Sequence, residues 1–495
     1  MVRVFVFLIC CLSVGLSTAF GASDSPTYVP GRILIKPKAG HDPEALNRFY
    51  TEAGLTVLRR FATGGVQLVR IGNDATVPNA IQACQSSGLV EFAEPDHFVK
   101  AAATIPNDPF FLDGTLWGLL NTGQNGGVAG ADIHAPDGWD FQSSASNIIV
   151  AVLDTGVRLT HEDLVSNLWV NTNDNTHGYN AFDDSHNPTD NEGHGTLVAG
   201  ILGAVGNNGV GITGVAWDVQ LMIGKCLDTD GEGTDSSVIA ALEFAQTNGA
   251  RIINTSFSSA FFSEAVSNTI ASLRDDGIII VAASGDSLLE STDVDLMPTY
   301  PACYDLDNIV SVASTGNDDT LGYRSNYGVT NVDLAAPGDL MFSTCFMADN
   351  AYYPHTVQDP PLFGSSFATA HVSGALALIL EKFPGEDYQT SLRRLLLAVD
   401  KVPALEGMCA TGGRLNLVHA FSPPIRMKFM EATGETFSLR VETSPNRTCI
   451  IEASPDLLNW SAMGTNTTSI AGYFDFADTK VTNAPQQFYR ALSIP

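Results

Sequence analysis

Four short runs constrain this chain most: Ile-Ile-Val-Ala-Val-Leu at 148–153, Ile-Ile-Asn at 252–254, Ile-Ile-Ile-Val-Ala at 278–282 and Ile-Val-Ser-Val at 309–312. Each is apolar and rich in β-branched residues. A run without polar alternation reads as a strand buried on both faces. Segments with helical spacing at 236–246 and 263–274 separate several of these runs. The alternation predicts an α/β domain over 105–421, with a largely parallel sheet and helices on both faces.

The flanking regions read differently. Residues 31–36 and 66–71 alternate apolar and polar side chains, 89–93 is a third candidate strand, and 42–54 and 77–87 have helical spacing. The segment 23–104 is therefore expected to be a small α+β unit, two helices over one antiparallel sheet. Residues 104–109 read as an extended connector, and Ser-Pro-Pro at 422–424 as a linker. Short alternating stretches at 437–441 and 449–452, with many Asn, Thr and Gly turns, predict a small all-β domain over 425–495. That domain has no cluster of His, Cys or paired acids and reads as accessory.

Arg3, the apolar run 4–16 and the small residues of 17–22 form a secretory leader, 1–22. No later stretch is long and apolar enough to anchor the mature chain. The expected location is extracellular, or periplasmic in a Gram-negative host. With 25 Lys and Arg against 54 Asp and Glu, the formal charge is −29. Such a field repels phosphate backbones and anionic lipid, which argues against nucleic-acid or membrane-surface binding as the main role. Of 8 cysteines, Cys10 and Cys11 leave with the leader; the rest are scattered without metal-ligand spacing and read mainly as buried thiols.

Three blocks carry chemistry. Asp154 ends the first buried run and is followed by Thr155-Gly156; carboxyl ends of parallel strands are where α/β proteins place their sites. His194 stands between Gly193 and Gly195 at the start of a small-residue helix. Glycines on both sides let backbone and substrate approach the imidazole closely. Ser366 opens a second buried helix, where the dipole and free N–H groups favour a developing anion. Serine is a poor nucleophile until a base takes its proton, and the base needs an orienting carboxylate.

With this order, Asp then His then Ser, the chain resembles the subtilisin-like serine protease (subtilase) family. Asp154-Thr155-Gly156, Gly193-His194-Gly195-Thr196 and Gly364-Ser365-Ser366-Phe367-Ala368-Thr369 stand where its three motifs stand. Trp117-Gly118-Leu119 and Gly413-Arg414-Leu415-Asn416 extend the likeness to both ends of the middle domain. The resemblance implies a subtilisin-like fold and a secreted, monomeric serine endopeptidase acting on proteins or peptides through Asp154, His194 and Ser366, with no catalytic cofactor. It further implies that 23–104 is a ferredoxin-like inhibitory propeptide, the enzyme's own intramolecular partner, cut by the enzyme itself within 98–104.

The resemblance also exposes departures. The family supplies one oxyanion donor from an Asn side chain, and Asp286 stands there instead. An ionised carboxylate has no proton to give; a protonated one has. Activity that rises below neutrality is the expectation. Ser256, Phe257 and Ser258, with Ala283, Ser284 and Gly285, match the walls of the substrate cleft, with Ser258 and Ser259 in place of the family's glycines. A narrower cleft and an apolar P1 side chain are expected. Asp163 and Asn207, or Asn208 in the same loop, match ligands of a structural calcium. The rival reading is an impaired subtilase that acts as a binding protein.

Overall fold

The computed structural model describes residues 28–72, 75–97, 103–287, 289–354, 359–433, 436–455, 460–479 and 487–493. The expected leader at 1–22 and most of the processing stretch at 98–104 lie outside these residues. Two compact units are present among the described residues, one over 28–97 and one from 103 onward.

In the first unit, strands Thr56–Arg60, Gln67–Arg70, Tyr28–Pro37 and Val90–His97 lie side by side in that order, all antiparallel. Helices Pro43–Glu52 and Val77–Ser86 start on the side-chain caps Asp42 and Thr76, each followed closely by proline. Ile33, Ile35 and Val69 from the sheet meet Leu46, Tyr50, Val77 and Cys84 from the helices in one core. The chain order β-α-β-β-α-β is the ferredoxin-like arrangement expected for this segment. The strand Thr56–Arg60 was not foreseen, because at the sheet edge its Arg59 and Arg60 are exposed and it has no apolar face to betray it.

The second unit is built on a nine-stranded sheet. Its order runs Asp400–Lys401, Gly413–Arg414, Leu334–Pro337, Ile309–Thr315, Ile279–Ala283, Ile252–Thr255, Ser144–Asp154, Asp218–Lys225 and Gly178–Asn180. All neighbours are parallel except the first pair. The four runs singled out in the sequence fall in four of these strands. Within Ser144–Asp154, Val150 and Val152 enter one core while Ala151 and Leu153 enter the other. That is the period-two consequence of covering both faces. Helices His194–Gly203 and Ser365–Lys382 cover the first face, and Asp235–Thr247 and Glu264–Asp275 the second. The helix Ser365–Lys382 is buried almost all round, which its small residues permit.

Beyond helix Leu417–Phe421, strands Arg426–Thr433, Thr436–Glu442 and Tyr473–Asp478 form one sheet, and Ser461–Thr467, Thr448–Ser454 and Phe488–Ser493 another. Phe437, Leu439, Val441, Ile451, Phe474 and Tyr489 build their shared core. Cys84, Cys226, Cys409 and Cys449 are buried thiols.

Candidate active site

Asp154 sits at the carboxyl end of the central strand, fully buried. Its Oδ1 accepts the Thr155 N–H at 2.8 Å and lies 2.8 Å from His194 Nδ1; its Oδ2 is buried without a hydrogen-bond partner. Gly195 makes this approach possible, because a Cβ there would lie 2.1 Å from the Gly156 carbonyl oxygen and 3.0 Å from Asp154 Cβ. His194 begins its helix after Gly193, whose φ of 124° is reserved for glycine. Burial opposes the charged imidazole, but the charge and hydrogen bond of Asp154, with Glu192 and Asp190 nearby, outweigh it and hold His194 at about 9.

Ser366 lies in the first turn of the helix Ser365–Lys382. Its Oγ donates to the Ser256 carbonyl at 2.9 Å, while Ser256 Oγ donates to the Ser366 carbonyl at 3.0 Å. Asn254 Nδ2 donates to Ser256 Oγ and accepts, through Oδ1, from Ser373 Oγ. The helix is thereby pinned to the strand Ile252–Thr255. The structure thus pairs Asp154 with His194 and docks Ser366 on the neighbouring strand end, with its hydroxyl proton on Ser256 rather than on the imidazole.

Asp286 is exposed at the surface, although neighbouring protein partly desolvates its carboxyl. Both its carboxylate oxygens accept the Ser365 N–H at 3.0 Å, and Oδ2 also accepts the Ser365 hydroxyl at 2.9 Å. Desolvation raises its carboxyl above the ordinary range, opposed by those Ser365 donors and by the His194 charge.

Of the expected cleft residues, Ala283 and Ser284 are buried, the latter held by bonds to Asn326 and Thr299. At Gly285, a Cβ would stand 2.9 Å from Ser258 Oγ, so the two walls nearly meet. Phe257 and Ser258 open instead onto a cavity of about 490 Å³, lined also by Val238, Val266, Tyr300 and Tyr304.

Asp190 and Lys225 were not singled out in the sequence. Asp190 accepts from Thr155 Oγ1, the Glu192, Gly193 and Thr196 N–H groups and the Thr196 hydroxyl, joining the Asp154 turn to the His194 loop. Lys225 Nζ donates to Asn191 Oδ1 at 2.9 Å and to the Thr155 and Leu227 carbonyls. The one available signal for Asp190 was its place four residues before a histidine flanked by glycines.

Of the expected calcium ligands, Asn208 meets Asp163 and Asn207 does not. Asp163 accepts Asn208 Nδ2 and the Ile212 N–H, each at 2.8 Å, and Tyr352 OH at 3.3 Å. Asn208 Oδ1 takes the Val210 N–H, which fixes its amide with nitrogen towards Asp163. Asn207 Oδ1 takes the Asn107 N–H. No group of three or more His, Cys, Asp or Glu side chains is placed to hold a metal among the described residues. Calcium takes six to eight oxygen ligands, carbonyls and water among them; the buried Asp108 carboxylate lies close enough for its charge, after burial, to raise Asp163, whose pKa stands at about 7.

The subtilase family profile matches residues 145–406, over half the chain, and a fervidolysin N-terminal prodomain profile matches 17–96. A thermophilic serine proteinase of Bacillus sp. (strain AK1) is 31% identical over 354 residues, spanning 71% of this chain and 78% of that one. Thermitase of Thermoactinomyces vulgaris is 32% identical, spanning 55% and 85%. A solved protease from Pseudoalteromonas arctica superposes with a TM-score of 0.52 at 26% identity, covering 64% of this chain and 98% of its own. The chain belongs to the subtilase family. It is a subtilisin-like serine protease that carries an N-terminal prodomain.

Proposed function

We propose that this protease is a secreted endopeptidase, made as a zymogen and freed by its own cleavage after the prodomain. The observation that carries the reading is the 2.8 Å pairing of His194 with the buried Asp154, with the His194 ring 6.0 Å from that of Phe367, the residue after Ser366 at a helix N-terminus. Asp154 holds the imidazole with its proton on Nδ1, leaving Nε2 to act as base. Ser366 turns from the Ser256 carbonyl to His194, loses its proton to Nε2, and its Oγ bonds to the scissile carbonyl carbon. The tetrahedral oxyanion takes the Ser366 N–H; the C–N bond then breaks, and the imidazolium proton leaves with the amine. Water repeats the sequence on the acyl ester, returning Ser366.

Asp286 is the weak point of that scheme. While ionised it accepts from Ser365 and offers the oxyanion nothing; protonated, it is a donor. Turnover is accordingly slow at neutral pH. The cavity beside Phe257 has a mixed lining, with Val238, Val266 and Tyr300 facing Glu232 and Asp235, and takes apolar rather than acidic substrate side chains, while the closeness of Ser258 to Gly285 excludes bulky ones from the space between the walls. The absence of any helix long and apolar enough to cross a membrane, among the described residues, accords with release from the cell.

The deciding experiment is the intact mass of secreted wild-type protein beside a folded Ser366→Ala variant. Loss of the prodomain in wild type and its retention in the variant establishes Ser366 as nucleophile. Retention in both, or loss in both, removes self-processing.

A further inference from the structure

Between Asp190 and His194 the chain makes one tight turn. Asp190 Oδ1 accepts the Glu192 N–H at 3.1 Å and the Gly193 N–H at 2.9 Å, and Gly193, at φ 124°, leads into the helix His194–Gly203. The turn sets Glu192 over the first free N–H of that helix, and its Oε2 accepts the His194 N–H at 2.7 Å. A helix N-terminus favours a carboxylate at this place, and a bond of this length is charge-assisted. The donor belongs to the same residue as the imidazole, so the acid is fixed within one residue's reach of the ring.

Other charged groups face His194 as well. Asp154 bonds to the ring directly. Asp190 is close, but it accepts five hydrogen bonds and stands within range of the Lys225 ammonium, which balances its charge. Asp286 is within range of the imidazolium from another element. Glu192 is half-buried, and among the described residues no lysine or arginine pairs with it. Its negative charge is left to act on the ring. Against burial, which opposes the charged imidazole, Asp154, Glu192 and Asp190 all raise His194.

We propose that Glu192 is a positioning residue for the base: its carboxylate, held on the His194 N–H, favours the imidazolium and so moves the protease's working range towards alkaline pH. The inference rests on His194 being that base. At neutral pH the acid keeps a larger share of His194 protonated and unable to take the Ser366 proton; at alkaline pH it leaves a neutral imidazole that is the stronger base. A carboxamide at the same place would keep the hydrogen bond to the His194 N–H and lose the charge.

The test follows the low-field Nδ1 proton of His194 by NMR across pH, in the full chain carrying Ser366→Ala, alone and with Glu192→Gln or Glu192→Ala. Both exchanges are expected to lower the midpoint by about half a pH unit, the scale for one charge acting across a partly solvated gap. In active enzyme carrying Asp286→Asn, Glu192→Gln is then expected to raise kcat/KM at neutral pH by up to about threefold. An unmoved midpoint in Glu192→Gln overturns the proposal, and so does a midpoint that moves in Glu192→Ala alone, which would make Glu192 a helix cap and nothing more. Should Glu192→Ala not fold, Glu192→Gln decides. The NMR midpoint needs no turnover, so it judges Glu192 separately from the proposed proteolysis, whose own failure shows as a prodomain retained in wild type.

Discussion

Asp286 accepts both the main-chain N–H and the hydroxyl of Ser365, the residue immediately before the proposed nucleophile. The acid therefore stabilises the start of the nucleophile's helix, as an anion does at any helix N-terminus, at the expense of donating nothing to an oxyanion. Asp286→Asn is expected to raise kcat about 10²-fold at neutral pH, the scale of one oxyanion donor. The same exchange weakens the helix cap, so a slightly lower Tm accompanies the faster turnover. A variant no faster than wild type removes Asp286 from the rate.

The pH profile follows from two groups raised above their ordinary values. His194 must be neutral to act as base, so its contribution grows as pH climbs through about 9. Asp286 must be protonated to donate, so its contribution fades as pH climbs through its own raised value. Wild type is expected to show a low bell between the two, with kcat/KM falling on both sides. In Asp286→Asn the alkaline fall disappears and the profile becomes a single rise with pH. Measuring kcat/KM across pH for both proteins checks this; identical profiles would leave Asp286 without a role in the chemistry.

Ser258 sets the width of the cleft at Gly285. Ser258→Gly removes the hydroxymethyl group that closes the gap, and kcat/KM for a peptide with Phe at P1 should rise about 10-fold relative to one with Ala. An unchanged ratio would place P1 recognition elsewhere.

Asp190 serves five donors across the Asp154 and His194 segments. Truncation to Ala strands those N–H and hydroxyl groups, with an expected loss of about 3 kcal/mol in stability. Asp190→Asn keeps the shape but exchanges an acceptor for a donor facing N–H groups, and should recover less than half of that. Denaturant unfolding of both variants in the Ser366→Ala background reads the difference.

Much of this was legible in sequence because the physics concerned was local. The four β-branched runs became strands since a doubly covered sheet admits little else, and Asp154 and His194 meet where the glycines predicted close approach. The strand Asp218–Lys225 was harder: Asp218, Gln220 and Lys225 interrupt its apolar run, and only Asn191 and two carbonyls explain a buried lysine. The calcium expectation rests on a local pattern alone. Asp163 and Asn207 stand in a ligand-like pattern, but what surrounds Asp163 comes from Asn208, Ile212 and Tyr352, which lie 45, 49 and 189 residues away along the chain, and no local pattern carries that information. The position of Asp286 was readable; its engagement by Ser365 was not, because both residues look ordinary until the strand end and helix start are set against each other.

The helix Ser365–Lys382 packs on strands Ser144–Asp154, Ile252–Thr255, Ile279–Ala283, Ile309–Thr315 and Leu334–Pro337, every one of which precedes it in the chain. On a ribosome, then, the groove awaiting this helix is complete in sequence before the helix itself emerges. A nascent or prematurely terminated chain carries Asp154 and His194 but not Ser366. The capacity to cut arrives with the helix that fills the groove over those five strands, so a chain that lacks this part of the core also lacks the nucleophile.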